Sequence, residues 1–179
     1  MTKSILQRIG LISDTHGLLR PEATALLAGC SLIVHAGDIG GAGILERLRV
    51  IAPVTAVRGN NDLDEASQTL PLTEVFRVGR VGVLIVHDRA TLGFALPASG
   101  IRVVVSGHSH KPCIEERDGI LWVNPGSAGP RRFKLPVAIG ELRVDAGGVT
   151  ARVIDLLDPC GSLASGALRF DKSSRTSPA

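Results

Sequence analysis

The stretch that decides the fold is residues 103–110, Val-Val-Val-Ser-Gly-His-Ser-His. Three successive valines predict a strand that is buried on both faces, and Gly107 lets the backbone turn sharply after it. His108 and His110 follow with one residue between them, so each imidazole can present a nitrogen to a different cation. The stretch predicts a strand that ends in a metal site, although an isolated H-x-H pair is also typical of a solvated turn.

Composition and charge predict one folded domain and give no sign of a nucleic-acid or membrane partner. The chain has 179 residues, 44% of them apolar and 21% charged, which predicts one globular domain with a self-sufficient core. The formal net charge of +3 is spread thinly, so it does not favour a nucleic-acid-binding face. The three cysteines lack a C-x-x-C spacing and favour reduced thiols. With no leader and no apolar run near ~20 residues, we expect a cytoplasmic protein without a membrane partner.

Strands and helices alternate at the start of the chain. Apolar runs at 9–13, 32–36 and 54–57 are separated by helical patterns at 21–28 and 43–50. This order predicts a parallel α/β unit, because parallel strands are joined by crossover helices.

Hairpins are predicted farther along the chain. The paired strands lie at 75–78 with 81–86, 112–117 with 120–123, and 137–143 with 149–154. A short helix is expected at 92–97. After residue 158 the composition shifts to Gly, Ser, Ala, Pro and Lys, so we expect one domain over residues 1–158 and an appended tail over residues 159–179.

The ends of five predicted strands carry residue types that bind metals. They are Asp14, Asp38, Asn60, His87 and His108. In a mostly parallel sheet the carboxyl ends of the strands lie along one edge, where ligands bind, so we expect these side chains to meet there. His16 and His110 stand two residues after the first and the last of them and extend the set. The competing interpretation is that histidines follow these strands by chance.

The donor types indicate which metals would bind. Two carboxylates, one carboxamide and four imidazoles suit borderline divalent metals, with Mn²⁺ the first choice and Fe, Co²⁺, Ni²⁺ or Zn²⁺ as alternatives. These donors exceed the needs of one ion, so we expect two divalent ions that share a bridging carboxylate. Ions about 3.5–4 Å apart hold a water as hydroxide and direct it at an electrophile, an arrangement that hydrolyses phosphate esters.

The order of these motifs resembles a known family. The motifs D-x-H, G-D, G-N-x-D, a lone His after a strand, and G-H-x-H begin at Asp14, Gly37, Gly59, His87 and Gly107. They resemble the calcineurin-like metallophosphoesterases, in particular the small bacterial and archaeal members of the YfcE type, over nearly the whole chain. The resemblance implies a four-layer αββα sandwich of two mixed sheets flanked by helices, with the metal site at the carboxyl ends of the strands.

The resemblance also implies how the ligands divide. The first ion would be held by Asp14, His16, Asp38 and His110. The second would be held by Asp38, Asn60, His87 and His108, with Asp38 as the bridge. The stretch 124–127, Asn-Pro-Gly-Ser, followed by Arg131 and Arg132 looks like the loop that small members carry near the metal rim, and it is equally consistent with a plain turn.

Two residues depart from the broader family pattern, and a third residue close to the predicted ligands is a histidine whose function the pattern does not give. Many of its phosphatases carry a histidine after the ligand asparagine, where it can protonate the leaving oxygen, but this chain has Asn61, whose carboxamide cannot act as an acid. Asp88 stands where a glycine commonly follows the strand histidine, and we interpret it as a residue that tolerates a left-handed backbone and not as an eighth ligand. His35, close to Asp38, is predicted to support the ligands, with a core role as the alternative.

The sequence predicts a metal-dependent phosphodiesterase that hydrolyses a small phosphate diester, with a metal-bridging hydroxide as the nucleophile. Catalytic roles are assigned to Asp38, Asn60, Asn61 and His87. A phosphomonoesterase acting on a small substrate is the nearest alternative. A non-catalytic interaction scaffold like the retromer subunit that resembles these enzymes is another, and a homo-oligomer is left open. A nuclease acting on long nucleic acid is disfavoured, because the chain has no capping domain or basic stripe.

Overall fold

The computed structural model describes residues 6–92, 96, 100–158 and 160–170. The strands in this part of the chain are β1 (Gln7–Ile12), β2 (Leu32–His35), β3 (Val54–Ala56), β4 (Thr73–Val78), β5 (Val81–Val86), β6 (Ile101–Val105), β7 (Cys113–Arg117), β8 (Ile120–Asn124), β9 (Ala138–Asp145), β10 (Gly148–Asp155) and β11 (Ser162–Arg169). The helices are α1 (Pro21–Leu27), α2 (Ala42–Arg49) and α3 (Glu65–Gln68), and a 3₁₀ turn spans Arg89–Thr91.

The strands form two mixed sheets. The first sheet has the order β11-β10-β9-β1-β2-β3, and the second has the order β4-β5-β6-β8-β7. In the first sheet β1, β2 and β3 are parallel, and β9 to β11 run antiparallel. In the second sheet β5, β6 and β8 are parallel, with an antiparallel strand at each edge. The predicted sandwich of two mixed sheets is confirmed.

Three apolar layers hold the sheets in place. The largest lies between the two sheets and takes alternate residues from both, such as Leu11 and Val34 from the first sheet and Val103 and Val105 from the second. A second layer packs α1 and α2 against the outer face of the first sheet. A third covers the outer face of the second sheet. Strands such as β5 are therefore buried along their whole length, which is why they lack the polar alternation of half-exposed strands.

The helices begin and end near the predicted residues. Pro21 occupies the first turn of α1, where its missing N–H costs nothing, and Gly29 follows the helix with φ of 77°. The predicted helix at 92–97 falls largely on residues outside the described ones. None of the helices in the described ranges is long and apolar enough to cross a membrane.

The expected tail from residue 159 differs from the structure over part of its length. Residues Ser162–Arg169 form β11, which pairs with β10 at the edge of the first sheet. The stretch is poor in large apolar residues, but an edge strand is held by backbone hydrogen bonds and needs few of them. Residues 171–179 lie outside the described residues, so the domain boundary itself stays a prediction.

A buried carboxylate on the first sheet was not predicted. Glu141 is 2% exposed and accepts hydrogen bonds from the guanidinium groups of Arg8, Arg143 and Arg152, which come from three neighbouring strands. Burial by itself would raise the pKa of Glu141, but the hydrogen bonds from the arginines lower it. The carboxylate thus links β1, β9 and β10 across the outer face of the sheet.

Candidate metal centre

The candidate site lies where the two sheets meet at their carboxyl ends. The loops after β1, β2 and β3 come from the first sheet, and those after β5 and β6 come from the second. The order of strands along the chain predicted that all five ends lie along one edge of a mostly parallel sheet. The structure instead brings two parallel groups of strands together across the core, so the donors approach the site from two sides.

Five of the predicted ligands have a left-handed backbone. The φ angles are 53° for Asp14, 44° for His16, 54° for Asp38, 65° for His108 and 58° for His110. This region costs an L-residue roughly 1–2 kcal/mol, and such strain persists where surrounding contacts enforce it. Hydrogen bonds between the loops do so here, since the backbone N–H groups at positions 14 and 16 donate to the carbonyl oxygens of residues 37 and 38 at 3.0 Å each.

The first predicted ligand group is close-packed. His110 Nε2 lies 3.2 Å from Asp14 Oδ1, and His16 Nε2 lies 3.4 Å from His110 Nε2. His16 Nε2 is also 3.8 Å from Asp38 Oδ2. Two imidazole nitrogens and two carboxylate oxygens thus point at one small volume.

The second predicted group adjoins the first through Asp38. His87 Nε2 lies 3.4 Å from Asp38 Oδ1 and 3.1 Å from Asn60 Oδ1. Asn60 Oδ1 in turn lies 2.9 Å from His108 Nδ1. All seven residues predicted from the sequence are therefore brought together, and the two oxygens of Asp38 face different groups.

The donors fit divalent cations. Asp14 Oδ1 and His110 Nδ1 are buried and have no hydrogen-bond partner among the described residues. A buried carboxylate oxygen without a donor is costly, and a cation would satisfy it. Asp14, His16 and His110 can offer atoms within 4.8 Å of one another, as can Asp14, Asp38 and His87. Imidazole and carboxylate together suit borderline metals.

The charges of the centre are coupled. Burial alone would raise the pKa of Asp38, but hydrogen bonds to His87 and to the backbone and side chain of Asn61 hold it well below its ordinary value. Burial would lower the pKa of His87, but the same carboxylate outweighs it and raises that pKa. Burial lowers the pKa of His16, which Asp38 offsets only in part. Asp38 therefore stays ionised and favours positive charge beside it.

Hydrogen bonds fix the orientation of one ligand ring. His87 Nδ1 lies 2.7 Å from the carbonyl oxygen of Ala36. A carbonyl can only accept, so Nδ1 carries a proton, and in the neutral ring the lone pair of Nε2 faces Asp38 and Asn60. This partner outside the ligand set selects the tautomer that can bind a metal.

His35 supports two of the loops. It is fully buried, and its Nδ1 accepts from the N–H of Gly37 at 3.2 Å, which leaves Nε2–H to donate to Thr15 Oγ1 at 2.9 Å. The Thr15 hydroxyl donates to the Ile39 carbonyl at 2.8 Å. Burial lowers the pKa of His35 to about 4, so the ring is neutral near pH 7. His35 thus joins the loop after β1 to the loop after β2, and neither hydrogen bond involves the side chain of a predicted ligand.

The sequence did not predict that two further residues hold the ligand-bearing loops in place. Asp62, 1% exposed, accepts from the backbone N–H groups of Ile39 at 2.7 Å, Gly40 at 3.0 Å and Gly59 at 2.8 Å. It thereby joins the loops after β2 and β3. Asn124 donates to the Gly107 carbonyl at 2.6 Å and to Ser109 Oγ at 3.0 Å, so it holds the turn between the last two histidines. The available signal was their position, since Asp62 closes the G-N-x-D motif and Asn124 opens the Asn-Pro-Gly-Ser stretch after an apolar run.

Two sequence interpretations change in detail. Gly107 is not in the left-handed region; a Cβ there would lie 2.7 Å from Asp14 Oδ2 and would clash with Ser13, so the glycine provides space and not a turn. Asp88 has φ of −108°, and its Oδ1 accepts from the N–H of Ala90 at 2.9 Å. The interpretation of Asp88 as a left-handed substitute for glycine is wrong. Its Oδ2 lies 3.9 Å from His108 Nε2.

Asn61 lies against the shared carboxylate. Its Nδ2 donates to Asp38 Oδ2 at 2.6 Å, and its backbone N–H donates to Asp38 Oδ1 at 2.8 Å. Arg132 reaches the other side of the centre, where its Nη2 lies 3.3 Å from His16 Nε2. An exposed guanidinium therefore borders the first ligand group, as expected for the loop that carries it.

Comparison with known proteins gives the family. The sequence profile of the calcineurin-like phosphoesterase superfamily domain matches residues 8–146. The chain belongs to this superfamily. A probable metallophosphoesterase of Methanothermobacter thermautotrophicus is 34% identical over 168 residues, which cover 87% of this chain and 96% of that protein. The resemblance predicted from the motifs is confirmed.

A further relative and two solved structures resemble this chain in sequence or in fold. Phosphodiesterase YfcE of Escherichia coli is 29% identical over 171 residues, which cover 82% of this chain and 92% of YfcE. A solved structure of E. coli YfcE, a phosphoesterase, superposes with a TM-score of 0.71 at 27% identity, covering 91% of this chain and 100% of YfcE. Vacuolar protein sorting 29 of Cryptosporidium parvum superposes with a TM-score of 0.75 at 20% identity, covering 94% and 100% of the two chains. This last likeness shows the fold alone.

Proposed function

We propose that the protein is a phosphodiesterase that hydrolyses a small phosphate diester with two divalent ions, Mn²⁺ being our first choice. The observation that carries this proposal is that Asp38 faces a different ligand group with each of its carboxylate oxygens. The first ion would be held by Asp14, His16, Asp38 and His110, and the second by Asp38, Asn60, His87 and His108. When bound, such ions acidify a water molecule and offset the charge of a phosphoryl group.

The protein's own residues would position the substrate beside these groups. The guanidinium of Arg132, next to His16, would contact a phosphate oxygen, since Arg suits bidentate contacts with phosphate. Asn61 can donate a hydrogen bond but cannot protonate the leaving oxygen. We therefore expect diesters with acidic, aryl-type leaving groups to react fastest.

Two alternatives have support. The YfcE relative is named a phosphodiesterase, but a phosphomonoesterase would use the same donor set. A scaffold that does not catalyse is the second alternative, because vacuolar protein sorting 29 shares the fold, whereas the complete donor set favours an enzyme. The expected cytoplasmic location and the open question of a homo-oligomer stay predictions.

Metal analysis and a matched substrate panel test the proposal. The purified protein would be analysed for bound metals and assayed with Mn²⁺ on bis(4-nitrophenyl) phosphate and 4-nitrophenyl phosphate. We expect faster hydrolysis of the diester, and loss of it in Asp38→Ala and His108→Ala with the circular dichroism spectrum unchanged. Asp118→Ala is the control, because this carboxylate is 84% exposed in a hairpin turn. Full activity in either ligand variant would refute two-metal catalysis, and absence of hydrolysis with both ions bound would favour the scaffold.

A further inference from the structure

A pocket opens beside the candidate metal centre on the outer face of the second sheet. Its volume is about 460 Å³, within the range of small-molecule sites. Its walls come from the loop after β5, the turn that carries His108, and the segment leading into β7, and its floor includes Trp122 and Asn124 of β8.

The pocket is continuous with the second ligand group. His108 lines it and its side chain is 46% exposed, whereas the side chains of Asp38 and His87 are at most 5% exposed. This space is therefore open, on the His108 side, to a substituent of a phosphoryl group held at the two ligand groups.

Trp122 is the aromatic residue on the floor of the pocket. The indole packs against an apolar cluster on the outer face of the sheet, which includes Leu84 and Val104, and it also lines the pocket. Packing against this cluster holds the ring in place, so little side-chain entropy is lost when a ligand in the pocket contacts it. Indole surfaces stack with planar rings in a way that tolerates different ring identities.

Charged groups limit what the pocket can accept. Lys111 is exposed in the wall, and Arg89 pairs with Glu115 at 3.0 Å. Because β6 and β8 separate β5 from β7, this ion pair crosses the outer face of both strands beside Trp122, the cross-strand partner of Glu115. Charged walls disfavour a long alkyl chain and favour a small ester with a planar, polar-edged group.

We propose that this Trp122 pocket binds an aromatic substituent of the substrate, such as an aryl ring or a nucleobase. The identity of the other part of the substrate, a phosphate ester, rests on the proposed function. The pocket itself would recognise the aromatic group, so binding of that group does not depend on hydrolysis of the ester.

Fluorescence of the purified full-length protein tests the inference, because Trp122 is the only tryptophan in the chain. Adenosine carries the aromatic group without a phosphate, and ribose is its control without the ring. We expect saturable quenching by adenosine and no effect of ribose. Stacking on an aromatic side chain corresponds to roughly tenfold or more in affinity. Ala90→Leu places a larger side chain in the wall and narrows the pocket, so it should weaken adenosine binding by about tenfold.

A matched control shows whether the loss of adenosine binding in Ala90→Leu comes from the pocket or from adding a leucine anywhere on the surface. Ala167 is also exposed but lies on β11 of the other sheet, so Ala167→Leu should bind adenosine like the wild type. Linear, unsaturable quenching, equal quenching by ribose, or an unchanged affinity in Ala90→Leu would overturn the inference. Adenosine has no ester to hydrolyse, so an inactive protein that binds it would refute the proposed function and leave the pocket intact.

Discussion

His35 gives the sharpest prediction, because it supports the candidate centre without being a predicted ligand. His35→Ala removes the acceptor for the Gly37 N–H and the donor to Thr15. Each buried group left without a partner costs about 1–3 kcal/mol, and the space left by the ring adds to this. We expect the free energy of unfolding to fall by about 3–5 kcal/mol.

Val34→Ala is the matched control for this variant. Val34 precedes His35 on β2 and is equally buried, but its side chain lies in the core between the sheets. We expect Val34→Ala to lose about 2–3 kcal/mol and to bind metal like the wild type. His35→Ala should bind Mn²⁺ at least about tenfold more weakly, as for loss of other residues that orient ligands. Urea denaturation and titration calorimetry measure both quantities. Equal metal affinity in the two variants would refute the supporting role and favour a core role.

The pH dependence of stability offers a second measurement on the same residue. The unfolded histidine gains a proton near pH 6.5, but burial lowers the folded pKa of His35 to about 4. The unfolded state therefore binds more protons between these values, and stability falls as the pH falls through this window. The loss approaches about 3 kcal/mol. The difference between wild type and His35→Gln should shrink over that interval, and a difference independent of pH would contradict a buried neutral ring.

Three further predictions concern other residues. Glu141→Gln should lower the free energy of unfolding by about 1–2 kcal/mol at pH 7, which is less than for a fully buried ion pair because two of the partner arginines are nearly half exposed. Since the pKa of Glu141 is lowered in the folded protein, the stability that its carboxylate contributes should disappear as the pH falls below that folded pKa. Urea denaturation at a series of pH values measures both effects. Asp88→Asn should weaken Mn²⁺ binding about tenfold in calorimetry, because Asp88 faces His108 Nε2 and would orient that ring. An unchanged affinity would exclude this orienting role of Asp88. Asn61→His should raise kcat/KM for poor leaving groups by up to about a hundredfold and flatten its dependence on leaving-group pKa, whereas an unchanged slope would place position 61 away from the leaving oxygen.

Local patterns sufficed for most elements of the fold. Both the hairpin turn at Asp118-Gly119 and the strand–helix alternation from β1 to β3 are set by neighbouring residues, because turn chemistry and apolar periodicity act over a few positions. β11 was missed since its residues are small and its stability comes from pairing with β10. Glu141 was missed for a similar reason, because its three arginines stand at distant positions in the chain.

The sequence by itself predicted the seven donors of the candidate site, because they stand at or shortly after the ends of apolar strands and their chemical types limit what they can bind. Only the tertiary structure decided which strands belong to which sheet and how far apart the donor atoms around Asp38 lie. It also decided the roles of His35 and Asp62, whose partners lie on other loops, and the position of Trp122 beside His108. Contacts between residues far apart in the chain depend on how sheets pack, and that packing has no local signature.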